Sequence, residues 1–263
     1  MSIDWKLVPG AIWRRNQQKL RPVHDLDPVR VHDLLGIDAQ RDALLLNTVR
    51  FAKGLPANNA LLWGARGTGK SALVKAVTNV GISHGVRIVQ IDRDDLGLLP
   101  DIVEDHLRGQ PWRFIVFCDD LSFAPGDGSY RGLKTVLEGS IEPAPDNVRV
   151  YATSNRRHLV PEFAADNADT EVVGTELHHG DEVEEKISLA DRFGLWLSFY
   201  AIGQEQYLAI VDHLFAQAES GGHGRDPRDL ALRHAEALRY AQTKGVRSGR
   251  TARQFFNAWF TPH

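Results

Sequence analysis

Residues 61–77, LLWGARGTGKSALVKAV, constrain the fold more than any other stretch of the chain. The segment opens as a short apolar run, breaks into glycine and charge, and resumes with apolar residues at helical spacing. That succession reads as a strand, a turn of unusual backbone freedom and a helix. Gly64, Gly69, Lys70 and Ser71 fit G-x-x-x-x-G-K-[ST] between a strand-like and a helix-like run, the context that gives the pattern meaning. Glycine lets successive backbone N–H groups turn inward around phosphate oxygens, and the helix N-terminus adds partial positive charge. The expected cradle comprises Gly64, Ala65, Arg66, Gly67, Thr68, Gly69, Lys70, Ser71 and Ala72. Lys70 should reach the β- and γ-phosphates of a nucleotide, and Ser71 offers a hydroxyl to magnesium. A plain glycine-rich turn between strand and helix is the alternative.

Four further apolar runs look like buried strands: VRIVQID at 86–92, FIVFC at 114–118, VRVYATS at 148–154 and LWLSFYAI at 195–202. With ALLW at 60–63 they make five, separated by segments long enough for crossover helices. The expectation is an α/β fold with a five-stranded parallel sheet covered on both faces. Between residues 31 and 54, apolar residues recur at helical spacing after Asp38, and Gly54 supplies a stop. Residues 1–30 mix tryptophans with six cations and show no sustained period. They read as an arm lying on the body, with assembly or partner contact as the alternative.

The last sixty residues change character. QEQYLAIVDHLFAQAE at 204–219 is amphipathic, and the next helix is expected to start with Asp226 as cap and Pro227 at its first position and to end before Gly245. A last helix follows Ser248 and carries Phe255, Phe256 and Trp259, which read as helical core rather than a base-stacking platform. The expected organisation is an N-terminal arm (1–30), a nucleotide-binding α/β domain (31–203) and a small helical lid (204–263). Within the α/β domain, nine acids and no lysine or arginine between Glu162 and Glu185 mark an acidic insertion at about 162–186. It reads as a mobile solvated loop or a docking surface for a basic partner. His178 and His179 lie in it, but adjacent side chains of an extended loop point apart, which argues against a metal site.

The segment RFIVFCDDLS ends an apolar run in Asp119 and Asp120. A strand-end carboxylate beside a phosphate cradle is the natural magnesium partner, the role expected of Asp119 together with Ser71. The next carboxylate, Asp120, can polarise an attacking water. Taken alone, two such acids also suit a turn or a helix cap. Cys118 reads as a small buried hydrophobe.

Composition narrows the classes. The 263 residues are 43% hydrophobic, ordinary for a soluble globular chain, and no run approaches the ~18 to 20 apolar residues of a membrane helix. The single cysteine cannot form an internal disulfide, which fits a reducing, cytoplasmic setting. A net charge of −3 gives no global reason to expect nucleic acid, although the basic arm and the arginine-rich lid keep that partner open.

Several phrases together resemble an AAA+ ATPase. LLWGARGTGKS resembles its Walker A motif, FIVFCDD its Walker B motif, and YATSNRR its sensor-1 strand. The resemblance implies that Asn155 helps orient the hydrolytic water and that Leu35, Gly36 and Ile37, in HDLLGIDAQRDALLLNT, pack around the adenine. SLADRFG resembles the element that presents an arginine finger, which gives Arg192 the γ-phosphate of a neighbouring subunit as its target. GVRSGRTARQF resembles a sensor-2 helix start, with Arg250 the best candidate and Arg247 the fallback. Arg156 and Arg157 follow the sensor strand and can face nucleotide, neighbour or water. More narrowly, FCDDLSF, YATSNRRHL, DRFGLWLSF and RSGRTARQF resemble a bacterial AAA+ group known as domain of unknown function family 815. One departure stands out: Asp120 occupies the place where the superfamily usually has glutamate, one methylene longer.

The expected function is an oligomeric ATPase that uses ATP/ADP and Mg2+ and remodels a protein partner. The alternatives are a slow ATP-dependent switch or loader for a protein or nucleic-acid machine, and a nucleotide-bound scaffold without useful catalysis. Each arginine assigned to phosphate also has a bland reading as a solvated charge or ion-pair partner.

Overall fold

All five apolar runs are strands, and the sheet they form is larger than expected. The computed structural model describes residues 3–123, 128–155, 189–221 and 229–260. In chain order the elements are β1 (Gly10–Arg14), β2 (Lys19–Val23), α1 (Asp38–Ala52), β3 (Ala60–Gly64), α2 (Lys70–Ile82), β4 (Val86–Gln90) and α3 (Leu99–His106). They continue with β5 (Arg113–Cys118), α4 (Tyr130–Glu138), β6 (Val148–Ser154), β7 (Leu195–Phe199), α5 (Gln204–Ser220), α6 (Leu230–Thr243) and α7 (Gly249–Trp259). The sheet has seven strands in the order β2-β1-β4-β5-β6-β3-β7. Every neighbouring pair is parallel except β1 with β2.

The two additional strands correct the reading of residues 1–30 as an arm on the body. Residues 10–23 form a hairpin that extends the sheet beyond β4, with Gly10↔Ile88 and Ala11↔Val89 in register. Its alternation is real but short. Ala11, Trp13 and Leu20 are buried while Arg14, Lys19 and Arg21 are exposed, and two five-residue strands with one wet face leave too few apolar positions to stand out. Upstream of the hairpin, Trp5 is buried edge-on against Phe114 at 4.9 Å between ring centroids. The buried Arg87 fixes it there, its Nε donating to the Trp5 carbonyl at 2.7 Å while its guanidinium stacks 3.9 Å over Trp112.

Two apolar layers sandwich the sheet. On one face Leu44 and Phe51 of α1 and Leu73, Val74 and Val77 of α2 cover Leu62, Ile115, Phe117 and Tyr151. The buried Tyr151 hydroxyl is satisfied by Asn47 at 3.0 Å and Thr48 at 2.9 Å. On the other face α3 and α4 cover Leu61, Val116 and Val150, and Trp5, Trp13 and Leu20 join this layer. Helices α5, α6 and α7 build a third cluster of their own around Tyr207, Val211, Phe215 and Phe255. Phe255 is fully buried there, whereas Trp259 is 38% exposed.

Local signals act at several boundaries. Gly54 (φ +74°) follows α1, Gly245 (φ +67°) follows α6, and the Ser248 hydroxyl caps α7 by accepting from Thr251 N at 3.1 Å. Three boundaries differ from expectation: β4 stops at Gln90, β7 stops at Phe199, and α6 starts at Leu230. Asp226, Pro227 and the acidic insertion at 162–186, with His178 and His179, lie outside the described residues, as do Arg156 and Arg157. Among the described residues no helix is long and apolar enough to cross a membrane.

Because Trp5 belongs to the core, Trp5→Ala should destabilise the fold by about 3–5 kcal/mol, the range for truncating a buried aromatic. Urea unfolding followed by far-UV circular dichroism measures this; a loss within experimental error would mean the segment before β1 is a loose arm after all.

Candidate functional site

The cradle is built by backbone conformations that only glycine adopts easily. Gly64 (φ +127°), Gly67 (φ +75°) and Gly69 (φ +104°) turn the chain out of β3 and into α2, whose first residue is Lys70. At Gly64 the constraint is also spatial, since a Cβ would stand 2.0 Å from the Phe199 carbonyl oxygen. That same carbonyl accepts from Ala65 N at 2.9 Å, so the end of β7 holds the base of the loop.

Lys70 is buried under this loop, with Nζ donating to the carbonyls of Gly64 at 2.8 Å and Ala65 at 2.7 Å and to Asn155 Oδ1 at 3.1 Å. Burial is the largest influence on its ammonium and lowers the pKa; Asp119 and Asp120 act in the opposite direction, while Arg66 and Arg250 lower it further. Asn155, just past the end of β6, donates from Nδ2 to Asp120 Oδ1 at 2.5 Å. Ser71 donates to Asp119 Oδ1 at 2.6 Å, and Thr153 donates to the same oxygen at 2.5 Å. Thr153 Oγ1 in turn accepts from Asp120 N at 3.0 Å. Asp120 itself adopts φ +57°, a left-handed conformation unusual for a residue with a side chain. One buried threonine therefore fixes both aspartates.

These groups line one face of a cleft of about 850 Å³. Arg66 through Ala72 lie along it, with Asp119, Asp120, Thr153 and Asn155 beside them. Gly64 and Ala65 sit behind, presenting carbonyls to Lys70. Leu35 and Ile37 also line the cleft, Ile37 Cδ1 lying 3.5 Å from where a Cβ on Gly69 would stand, and the Gly36 carbonyl accepts from Gln206 of α5 at 3.0 Å. From the lid side, Ile210 and Leu214 of α5 and Gly249, Arg250 and Arg253 of α7 complete the walls. Arg250 thus stands at the cleft, and Arg247 is not among its lining residues. Gly249 N donates to Gly67 O at 3.0 Å, which ties the start of α7 directly to the cradle.

Arg192 does not line this chain's own cleft; its Nε donates to Glu138 at the end of α4. Burial pushes the Cys118 thiol pKa up, in keeping with an inert core residue. Sequence reasoning missed Asp27, Pro28, Val29, Asp33 and Leu34, which also line the cleft, and Thr153, whose role appears only when β5 and β6 pair. Asp33 is desolvated, which alone would raise its pKa, but hydrogen bonds and charge from Arg30 and a hydrogen bond from Gln217 hold its carboxyl below the usual range. The Ile210 and Leu214 contacts were readable as an i, i+4 apolar pair on an amphipathic helix, though not as cleft lining.

The donor set fits a nucleotide phosphate with a hard divalent cation. Inward-turned glycines, a lysine and a helix N-terminus suit phosphate oxygens, and the adjoining Ser71 hydroxyl and Asp119 carboxylate suit magnesium. Among the described residues no group of three or more His, Cys, Asp or Glu could hold a metal by itself. A cation here would therefore depend on water and phosphate oxygens for its remaining ligands.

Residues 7–263 match the family described as Protein of unknown function (DUF815). No curated protein matches the chain. Among solved structures, the chain is similar to the FIGL-1 AAA domain in complex with ADP, at 13% identity and a TM-score of 0.53, over 90% of this chain and 86% of that one. It is similar to a DNA replication initiation factor at 14% identity and a TM-score of 0.50, over 89% and 64%. Similarity also extends to the Thermotoga maritima RuvB Holliday junction branch migration motor, at 13% identity and a TM-score of 0.48, over 88% and 72%. At such identities the first two likenesses speak to the fold, and the fold they share with this chain is the AAA+ P-loop fold. The chain belongs to the DUF815 family, and the family's description of unknown function is joined here to an AAA+ architecture with its strand-end aspartates beside the cradle.

Proposed function

We propose that this protein is an ATPase that binds Mg-ATP in the cleft and hydrolyses it at sites completed by a neighbouring copy, coupling the cycle to remodelling of a protein partner. The observation that carries the reading is one connected set of bonds, in which Ser71 meets Asp119, Thr153 joins Asp119 to Asp120, and Asn155 links Asp120 to Lys70. Ser71 and Asp119 would hold Mg2+, which when bound would supply Lewis-acid polarisation of the phosphoryl oxygens. Lys70 exchanges its loop carbonyls for β- and γ-phosphate oxygens, and the glycine-rich backbone fixes the phosphates in place. Asp120 takes a proton from water as general base, and Asn155 holds that carboxylate in position. Arg250 acts from the lid on the γ-phosphate, and Arg192 acts as the finger on a neighbour's nucleotide, where an arginine is worth most to developing charge. Leu35, Ile37 and the α5 side chains receive the base. A reducing, cytoplasmic setting suits the single buried cysteine.

A slow ATP-dependent switch is the second reading. Its support is the short Asp120 side chain, already engaged by Asn155 at 2.5 Å. Turnover that stays negligible at every protein concentration, with nucleotide bound, would favour it over the ATPase.

Replacing the base without changing its size separates binding from chemistry. Asp120→Asn should lower steady-state ATP hydrolysis by about 100-fold or more, the usual scale of general-base catalysis, with nucleotide affinity by fluorescence titration unchanged. Equal turnover in the variant would remove Asp120 from the mechanism.

The shared site makes a sharper claim. Arg192→Ala and Asp120→Asn proteins should each be inactive alone, yet regain activity when mixed, because a finger from one copy then completes a base and cradle from the other. A mixture as dead as its components, with assembly confirmed by light scattering, would place the finger elsewhere.

A further inference from the structure

The β1–β2 hairpin carries Arg14, Arg15, Lys19 and Arg21 and no acid, in a chain whose net charge is −3. All four are exposed. The register sets Arg14 opposite Lys19 and Ile12 opposite Arg21, so Arg14, Lys19 and Arg21 share one face while Trp13 and Leu20 fill the other. Like charges directly opposite one another destabilise a strand pair, so the Arg14–Lys19 pairing works against the fold. Among the described residues no carboxylate lies within ion-pair distance of Arg14, Lys19 or Arg21; Arg15 has Asp95 at 3.5 Å.

Charges and proline on an edge strand guard against unwanted pairing, and this accounts for Lys19, Arg21 and Pro22 of β2. It leaves unexplained Arg14, on the inner strand; Arg15 beyond it faces Asp95. Pro22 also lacks the N–H that an added peptide strand would need, which disfavours an acidic peptide laid along this edge.

The cationic face borders a groove of about 170 Å³ lined by the apolar Ile12, Ile88 and Phe117 and by Gln90, Asp25 and the ion pair Lys75–Asp27, closed at 3.0 Å. Residues two apart on a strand present their side chains about 6.6–6.8 Å apart, on the scale of one nucleotide step along an extended strand. A nucleic acid strand with unpaired bases offers both halves of what this surface lacks: a row of phosphates for the cations and a planar ring for the groove. A duplex offers the phosphates alone. Because β1 runs parallel to β4, Arg14 lies at the same carboxyl edge of the sheet as Gly64 and Asp119.

From this juxtaposition we infer that the hairpin face binds single-stranded nucleic acid, with Arg14, Lys19 and Arg21 contacting its phosphates and the groove beside Ile12 receiving an unstacked base. None of these four residues belongs to the nucleotide cleft, so the inference stands or falls separately from the ATPase reading.

The test is fluorescence anisotropy of a labelled thymidine homopolymer with the full-length protein, free of added nucleotide, across a salt series. The triple variant Arg14→Gln, Lys19→Gln, Arg21→Gln should bind on the order of tenfold more weakly at low salt, with the slope of log affinity against log salt flattened by about 2, because each single-strand phosphate contact contributes about 0.7. Its thermal midpoint should hold or rise, since a repulsive cross-strand pair is relieved. An unchanged affinity and slope in the variant would overturn the proposal. So would competition by duplex DNA at the same nucleotide concentration, or displacement by polyglutamate at equal charge, which would point instead to an acidic protein. An abasic strand of equal length should bind more weakly than the homopolymer; equal binding would remove the groove from the site.

Discussion

The position of β3 between β6 and β7 is the constraint from which the site follows. The pairs Ala60↔Tyr151 through Trp63↔Ser154 fix β3 against β6, and Ala60↔Leu195 through Gly64↔Phe199 fix it against β7. The chain therefore leaves β3 at Gly64 beside the place where it leaves β6 for Asn155. Lys70, at the first position of α2, reaches across that gap to Asn155 Oδ1 at 3.1 Å. A slip of one residue between β3 and β6 would send Thr153 and its neighbours to the opposite face of the sheet and separate the lysine from its partner. The core and the site depend on the same register, because Leu61 and Leu62 fill the two apolar layers on the strand that carries the cradle.

Thr153 converts that register into a charge arrangement. By donating to Asp119 and accepting from Asp120 N, its one hydroxyl holds the carboxylate of the first aspartate and the backbone of the second. The left-handed backbone at Asp120, of a kind that costs on the order of 1–3 kcal/mol, turns the second carboxylate toward Asn155 instead of along the strand direction. Leu121 N, bonded to Thr153 O at 2.6 Å, resumes the pairing one residue later and contains the distortion. The buried Lys70 depends on this acidic pair: desolvation works against its charge, and Asp119 and Asp120 offset part of that cost.

How much of this was legible in the sequence follows from how local each signal is. The cradle and its two flanking elements were readable because glycine, lysine and serine are required at fixed spacing within nine residues, and the apolar runs on either side name their own structure. The strands β4, β5 and β6 were readable for the same reason, since burial on both faces leaves a nearly unbroken apolar run, whereas β7, at the sheet's edge with Trp196 exposed, was readable from its apolar residues alone. The hairpin was not, because one of its faces is wet and its strands are five residues long. Thr153 was hidden for a different reason: nothing marks a threonine in an apolar strand until β5 and β6 are paired, and pairing is a property of two distant segments. The same holds in part for Asp33: Arg30 is a local partner, but the bond from Gln217, 184 positions away, appears only in the fold.

The lid meets the body in a way that neither cluster of apolar residues dictates. Helices α5, α6 and α7 have their own core, separate from the two layers on the sheet. Three polar bonds run from these helices to the body beside the cleft: Gly249 N on Gly67 O, Gln206 on Gly36 O and Gln217 on Asp33. Each such bond contributes about 0.5–1.5 kcal/mol net, so together they come to a few kcal/mol. A ligand can shift an equilibrium only by its differential affinity for the two states, and a few kcal/mol lies within what a ligand touching both sides of the cleft supplies. One of these bonds ends on a cradle glycine and the next residue of α7 is Arg250, so the cradle and the helical cluster present their polar groups to the same cleft, and a ligand filling it would touch both.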